Sequence, residues 1–545
     1  MTHPMLPRGA ELRLPIVSGV LLTLSFPPFH LLIPPFLALV PYLVFLGGLA
    51  RGDAGDLSPF RASLWMGIVY YGTLLYWLFT ALVFYTWLAL LGYVLTVTVL
   101  SLFLAVAGWA VYRLRRDHGT PFWLSLPVFW TAMEWLRGNL GDLSFPWLGL
   151  GHSLTGFPAL IGFAELTGAR GVTLWLVAIN GLLAEWWLEG WRRRWVPRSV
   201  ALLLLLAVPV GFSLVRWVTL ETRPVARVLV VQPNIPEDLK MERQAAVDSS
   251  QRALAHLTER TLAETRREVD LVAWPETALP VSLDLAREWG PWAASLARSH
   301  GVALVYGLVD VDVYPDGMYD YYNAALFTDE EGVVEGIYHK HHLVPMVERV
   351  PYIPIARIRA ARRSAARGWN LPLIGDVGRF LQYFGGFGRG SSEPVFPAGA
   401  GGFGVLICYE STFAGLSRAY RRAGADFVVN LTNDAWYGRE RPIWSRTSAL
   451  YQHPAHLVMR AIENRIGVAR SANTGISLFV DPRGRVYEAT HLFEADARVA
   501  DVLTTDARTL YTRIGDWPGT LAAVGAALVL GLIGWRRRRG RAGEA

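Results

Sequence analysis

The sequence predicts a multi-domain chain: a polytopic α-helical membrane bundle of eight spans, with one soluble α/β domain set between the seventh span and the eighth. Three observations predict it. Long apolar runs follow one another through residues 1–222, arginines gather in alternate connections between those runs, and from residue 223 short β-branched runs alternate with charged stretches. Residues 1–222 are therefore read as a seven-helix bundle, 223–517 as the soluble domain, and 518–545 as a last helix with a basic tail.

A bilayer core needs about 20 apolar residues per helix. Runs that approach this length lie near Leu14–Phe29, Leu31–Leu49, Ser63–Leu82, Trp87–Tyr112, Pro121–Leu136, Val172–Leu188, Ser199–Val215 and Thr520–Trp535. Pro27, Pro28, Pro34 and Pro35 cannot sit inside a regular helix, so the first two runs are expected as a tight hairpin. Without a small-residue cleavage site after it, the first run is expected to stay as an anchor rather than be removed. Arg8 and Arg13, Arg51 and Arg61, Arg113, Arg115 and Arg116, Arg192–Arg194 with Arg198, and Arg536–Arg539 with Arg541 all fall on one side of such a bundle. Only Arg137 and Arg170 follow span five, so positive charge places the soluble domain on the extracytoplasmic side of the membrane.

Composition narrows the function. The chain is 52% hydrophobic with 22 Trp and 21 Tyr, rings that settle at the boundary between hydrocarbon and water. Its net charge of +7 comes from arginines beside apolar runs and not along one soluble face, which argues against nucleic-acid binding. A single cysteine excludes an internal disulfide and any multi-cysteine metal site.

In the soluble segment, Val228–Val231, Leu271–Ala273, Ala303–Tyr306, Ala324–Phe327, Gly404–Ile407, Phe427–Asn430, Val468–Ala469 and Ser477–Val480 read as strands. Glu242–Glu268 and Ala455–Asn464 read as helices. Tyr352–Ser392 reads as a long loop with Trp369, Leu371, Phe380, Tyr383, Phe384 and Phe387 beside Gly385, Gly386 and Gly388, a composition that fits a lid on the bilayer as well as a surface loop. Glu134 and Arg137, near the end of span five, fit an ion pair, a lipid head-group site or a packing contact.

Three residues could carry chemistry. Cys408 ends the apolar run Phe403–Ile407 and precedes Tyr409-Glu410-Ser411-Thr412, a strand turning into a helix. Such an elbow exposes a nucleophile near backbone N–H groups that favour thiolate and bind an oxyanion. From position alone a small core residue is the more usual reading of Cys408. Glu276 closes the run Leu271–Pro275, where partial burial would raise a carboxyl toward the range of a general base; a helix-start acid explains it too. Lys340 lies in Tyr338-His339-Lys340-His341-His342, and a fixed ammonium there could hold an oxyanion or simply face water. Neighbouring histidines on an extended chain point to opposite faces, so no metal site is expected.

Taken together, Trp274-Pro275-Glu276, Lys340-x-His342-Leu343-Val344-Pro345 and Ile407-Cys408-Tyr409-Glu410 resemble the Glu-Lys-Cys triad of the nitrilase superfamily. With seven spans before and one after, the whole chain resembles the apolipoprotein N-acyltransferase family. Phe145-Pro146-Trp147-Leu148-Gly149, Val231-Gln232-Pro233-Asn234, Asn430-Leu431-Thr432-Asn433-Asp434-Ala435-Trp436 and Asn473-Thr474-Gly475 resemble further landmarks of that family. The resemblance implies a nitrilase-like α-β-β-α sandwich, with Glu276 as general base, Lys340 as stabiliser of oxyanion and thiolate, and Cys408 as nucleophile. It implies Glu348 and Glu410 as supporting acids, and Tyr409 and Trp436 as pocket lining.

The implied reaction needs no cofactor. A phospholipid donates an acyl chain to Cys408, and the thioester passes it to the α-amine of a diacylglyceryl-cysteine lipoprotein; membrane lipids are the other partners, and a monomer is expected. In one place the sequence departs from the family: where Pro-Phe-Gly-Glu-Tyr-Val-Pro is common, Pro345-Met346-Val347-Glu348-Arg349-Val350-Pro351 keeps the acid and loses the glycine and both aromatics. An alternative reading keeps the triad in a membrane-anchored amidase or nitrilase acting on a small amide or nitrile. A transporter with a regulatory domain fits less well, because the runs hold few ionisable residues.

Overall fold

The computed structural model describes residues 12–52, 57–83, 88–190, 194–236, 243–279, 286–315, 319–357 and 386–542. Most of the expected long loop, including Trp369, Leu371, Phe380, Tyr383, Phe384 and Gly385, lies outside the described residues, as do Arg8, Trp87, Arg192 and Arg193.

Among the described residues the chain forms nine α-helices before residue 223: α1 Arg13–Ser25, α2 Pro34–Leu37, α3 Val40–Arg51, α4 Pro59–Leu74, α5 Trp77–Leu82, α6 Ala89–His118, α7 Phe122–Gly138, α8 Ala164–Glu189 and α9 Trp195–Thr219. Among the described residues, five helices are long and apolar enough to cross a bilayer: Pro34–Arg51, Ala89–His118, Ala164–Glu189, Trp195–Thr219 and Trp517–Trp535. The other expected spans come out shorter, at 13 residues in α1, 16 in α4 and 17 in α7. Prolines bound α1 and α2, and the third expected span is cut between Leu74 and Trp77 into α4 and α5. The outward faces are apolar, as on α9, where Leu203, Leu204, Val208, Val215 and Val218 stand exposed as a lipid-facing surface should.

Glu134 and Arg137 do not pair with each other. Glu134 accepts hydrogen bonds from Trp130 Nε1 at 2.9 Å, Leu150 N at 2.8 Å and Thr173 Oγ1 at 2.8 Å, while Arg137 donates to the Tyr71 hydroxyl at 2.9 Å and the Leu148 carbonyl at 3.3 Å. Both are buried and fasten the loop after α7, the packing outcome of the three that the sequence left open.

Two six-stranded sheets make the soluble domain. The first runs β12-β1-β2-β3-β4-β5 and the second β11-β10-β9-β8-β7-β6. In chain order the strands are β1 Arg223–Gln232, β2 Leu271–Ala273, β3 Ala303–Val313, β4 Tyr319–Thr328, β5 Val334–His339, β6 Phe396–Ala398, β7 Gly401–Ile407, β8 Phe427–Thr432, β9 Gly467–Ala472, β10 Leu478–Val480, β11 Val486–Tyr487 and β12 Asp496–Thr504. Helices α10 Arg243–Glu264 and α11 Ala286–His300 cover the first sheet, α12 Ala414–Ala423 and α13 Ala449–Asn464 the second, and α14 Leu510–Ile514 leads into α15 Trp517–Ala542.

Strand alternation separates the two faces of the first sheet. Val228, Val230, Leu271, Ala273, Ala303 and Val305 join the core between the sheets. Their neighbours Leu229, Val272, Trp274, Leu304 and Tyr306 join a second core with Leu254, Leu257, Ala293 and Leu296 under the helices. Burying each such aliphatic side chain stabilises the fold by about 1.5–3 kcal/mol. Every expected strand forms. Helix α13 begins six residues before the expected Ala455, because Pro454 lacks one N–H yet the rest of the turn is bonded and buried.

Candidate active site

The polar groups of the candidate site cluster where strands end. Glu276 lies three residues past β2, Lys340 one past β5, Cys408 one past β7 and Asp434 two past β8. The regular strand ladders end there and the chain turns, so side chains project past the sheet edges into shared space. Close approach is built in: a Cβ on Gly307 of β3 would sit 2.6 Å from Glu276 Cα, so only glycine lets the Glu276 turn cross that strand.

Lys340 is fully buried and reaches two carboxylates, with Nζ 2.8 Å from Glu348 Oε1 and 3.3 Å from Glu276 Oε1. Asn323, in the middle of β4, donates Nδ2–H to the same two oxygens, at 2.7 Å for Glu276 and 2.8 Å for Glu348. The remaining oxygens are also held, Glu276 Oε2 by the Asn433 N–H at 2.9 Å and Glu348 Oε2 by the Val344 N–H at 2.7 Å. The buried Cys408 thiol feels the charges of both Glu276 and Lys340, which puts sulfur, carboxylate and ammonium in one buried cluster. The Tyr437 hydroxyl stands 4.0 Å from Sγ.

Electrostatics assign the resting protons. Burial alone would raise Glu276, but the Lys340 ammonium, the Asn323 amide and the Asn433 N–H together outweigh it and hold the carboxyl below its ordinary value. This corrects the sequence expectation, which counted burial without the cation. Burial works against the charged Lys340, and Glu348 and Glu276 more than reverse it, so the ammonium keeps its proton. Burial and then the Glu276 charge push the Cys408 thiol up, past what Lys340 returns. The N–H groups at the elbow do not overcome that burial. At rest the cluster is therefore a neutral thiol beside a charged carboxylate, with a fixed cation alongside.

Cys408 holds φ at +51°, a left-handed backbone that a side chain adopts at a strain of about 1–3 kcal/mol. Glu410 stabilises the turn from below: its carboxylate accepts from the Ile407, His341 and His342 N–H groups at 2.7, 2.7 and 3.1 Å and from the Tyr338 hydroxyl at 2.8 Å. It thereby ties the end of β5 to the end of β7.

Two family models match the chain, the apolipoprotein N-acyltransferase N-terminal domain over residues 18–182 and the carbon-nitrogen hydrolase over residues 227–510. The apolipoprotein N-acyltransferase of Geobacter metallireducens is 31% identical over 534 residues, covering 96% of this chain and 95% of that protein. That of Chlorobaculum tepidum is 32% identical and covers 96% of this chain and 97% of its own; that of Rhodopseudomonas palustris is 31% identical, with 96% and 94% covered. This chain belongs to the apolipoprotein N-acyltransferase family.

For this member of the apolipoprotein N-acyltransferase family, the structure brings some of the expected candidates together and sets others apart. Glu276, Lys340, Cys408 and Glu348 come together, and Glu410 lies under the elbow rather than against the sulfur. Tyr409 turns away toward the bundle, donating to the Ser144 carbonyl at 2.9 Å and stacking with Phe145 and Trp147. Trp436 is half-buried in the turn Asp434–Tyr437. In the loop that departs from the family pattern, Met346 takes φ +65° and Arg349 turns toward Asp142 of the bundle, 3.8 Å away.

The three histidines diverge as the extended chain requires. His339 reaches Asp310 at 2.7 Å, His341 meets the Ser392 carbonyl at 3.0 Å, and His342 stacks on Phe413 at 3.8 Å, where burial lowers its imidazole to about 4. Sequence reasoning missed Asn323, Tyr437 and His453 altogether. Only Tyr437 carried a signal, as the residue that follows the Asn430–Trp436 landmark.

Proposed function

We propose that the chain completes lipoprotein maturation by ping-pong acyl transfer, with Cys408 as nucleophile, Glu276 as base and acid, and Lys340 as the fixed cation. The observation that carries this reading is a buried thiol within the electrostatic reach of a carboxylate that Lys340, Asn323 and the Asn433 N–H hold in place. Glu276 takes the Sγ proton as sulfur attacks the ester carbonyl of a phospholipid, and Lys340 with a backbone N–H holds the oxyanion. The intermediate collapses with cleavage of the C–O bond, and Glu276 gives its proton to the departing alkoxide, releasing lysophospholipid. The α-amine of a diacylated lipoprotein then attacks the thioester; Glu276 removes the amine proton, the C–S bond breaks, and the proton returns to sulfur. No step needs a cofactor.

The membrane setting follows the same reading. The bundle is read as eight spans divided at 1–222, 223–517 and 518–545, with the catalytic domain extracytoplasmic, on the plasma membrane, and the enzyme working as a monomer. β1 opening at Arg223 and α15 opening at Trp517 support the division. Arginines on the opposite side support the orientation. Burial of the triad supports transfer over hydrolysis, because water would discharge the thioester before an amine arrived.

Intact-protein mass spectrometry after mixing with phospholipid tests the reading. The wild-type chain gains one acyl mass, Cys408→Ala gains none, and a diacylated lipopeptide discharges the adduct while buffer does not. Equal discharge by buffer would favour the amidase or nitrilase alternative.

A further inference from the structure

Beneath the nucleophile lies a second group of buried charges that the acyl-transfer steps do not use. Arg470 on β9 donates Nη2–H to Asp434 Oδ2 at 2.5 Å and Nη1–H to Asn430 Oδ1 at 2.5 Å. Asp434 Oδ1 lies 2.8 Å from His453 Nδ1, and His453 Nε2 lies 3.0 Å from the carbonyl oxygen of Cys408. Arg470, Asp434 and His453 have no exposed side-chain surface. Burial opposes charge on Asp434, but Arg470 and then His453 outweigh it and keep the carboxyl well below its ordinary value.

A carbonyl oxygen only accepts, so Nε2 must carry a proton and donate, whichever state Nδ1 takes between Asp434 and Arg470. The ring has no freedom to leave. Trp147, from the loop between α7 and α8, stacks on it at 5.6 Å, and Tyr437 meets it edge-on at 5.3 Å. The carbonyl it grips belongs to the one residue of the site whose backbone must hold both a positive φ and a reactive side chain. Because the peptide group is planar, fixing that carbonyl also fixes the direction of the Tyr409 N–H.

We infer that His453, locked by Asp434 and Arg470, is a positioning residue that holds the strained Cys408 backbone so that Sγ faces Glu276 and the acyl donor. The inference rests on the reading of Cys408 as nucleophile. Misplacing a reacting atom by about an ångström slows a reaction about 10²-fold without weakening ground-state binding.

The test measures thioester formation on the full-length enzyme in nanodiscs. His453→Leu removes the donor, while His453→Gln can still present an N–H to the carbonyl. We expect kcat for acylation by phospholipid to fall about 10²-fold in His453→Leu with KM within about twofold, and His453→Gln to recover about tenfold of that loss. Asp434→Asn keeps volume, weakens the grip on the imidazole by removing the charge behind it and should fall with the same split, so the inference stands on it should His453→Leu fail to fold. Equal acylation rates in folded wild type and His453→Leu would overturn it, as would a loss confined to KM or a His453→Gln no better than His453→Leu. Wild-type enzyme without an acyl adduct would instead sink the nucleophile itself.

Discussion

The two sheets bring unlike groups to one site. From the first come a base, a cation and an amide: Glu276, Lys340 and Asn323, already hydrogen-bonded to one another. From the second comes the sulfur, held neutral by burial, with Asp434 compensated by Arg470. On the proposed mechanism neither set is reactive alone. The first has no nucleophile, and the second has a thiol whose proton has nowhere to go until Glu276 accepts it. Reactivity is created across the seam between sheets, so the substitutions that matter most are those that separate one set from the other.

Removing the sulfur breaks the contrast most severely. Cys408→Ala should lower acyl transfer by about 10⁴-fold or more, read as lysophospholipid release. Removing the proton acceptor comes next: Glu276→Gln should lower kcat by about 10²–10⁴-fold, and rapid-quench acylation is the step to measure. Lys340→Met should cost about 10²–10³-fold and also move the pH profile. Glu276 is held low chiefly against its burial by Lys340, so without the cation its carboxyl rises and the acid limb of kcat/KM shifts to higher pH. An unshifted limb would mean that Lys340 does not set the base.

Smaller effects test the tie between sheets. Tyr338→Phe deletes one hydrogen bond to Glu410 and should lower stability by about 1 kcal/mol, seen as a lower melting temperature. Burial, opposed by the Ile407 N–H and Lys340, pushes the Glu410 carboxyl up to about 7 from an ordinary 4.5. A raised carboxyl binds its proton more tightly folded than unfolded, so its contribution is full below about 4.5 and is lost as pH rises through about 7. The melting-temperature advantage of wild type over Glu410→Gln should therefore shrink between pH 5 and pH 8.

Local signals in the sequence reached the strands and their ends. Continuous apolar runs such as Leu271–Ala273 and Phe427–Asn430 became strands because each buries both faces; Glu276 and Cys408 were visible because each follows such a run, and Lys340 through the motif around it. Asn323 was hidden, since it sits inside a strand and acquires its role only from residues 47 and 25 positions away. His453 was hidden for the same reason, since it lies just before the expected helix Ala455–Asn464 and its partners are 19 and 45 positions away. Glu276 was found and its electrostatics misjudged, because a neighbour 64 residues distant decides them. The short bundle helices escaped notice because hydropathy continues across Leu75 and Tyr76 while the backbone does not.

The pairing of β1 with β12 has a consequence for how the enzyme is made. The first strand of the domain meets its edge partner only after residues 496–504 have left the ribosome, so a nascent chain holds its thiol, base and cation while one sheet still lacks a border. The residues that complete this border are followed almost at once by α15, which starts at Trp517. Translation thus couples maturation of the catalytic centre to insertion of the final anchor, and a chain stalled before that point should be left with an open sheet edge for proteases to recognise.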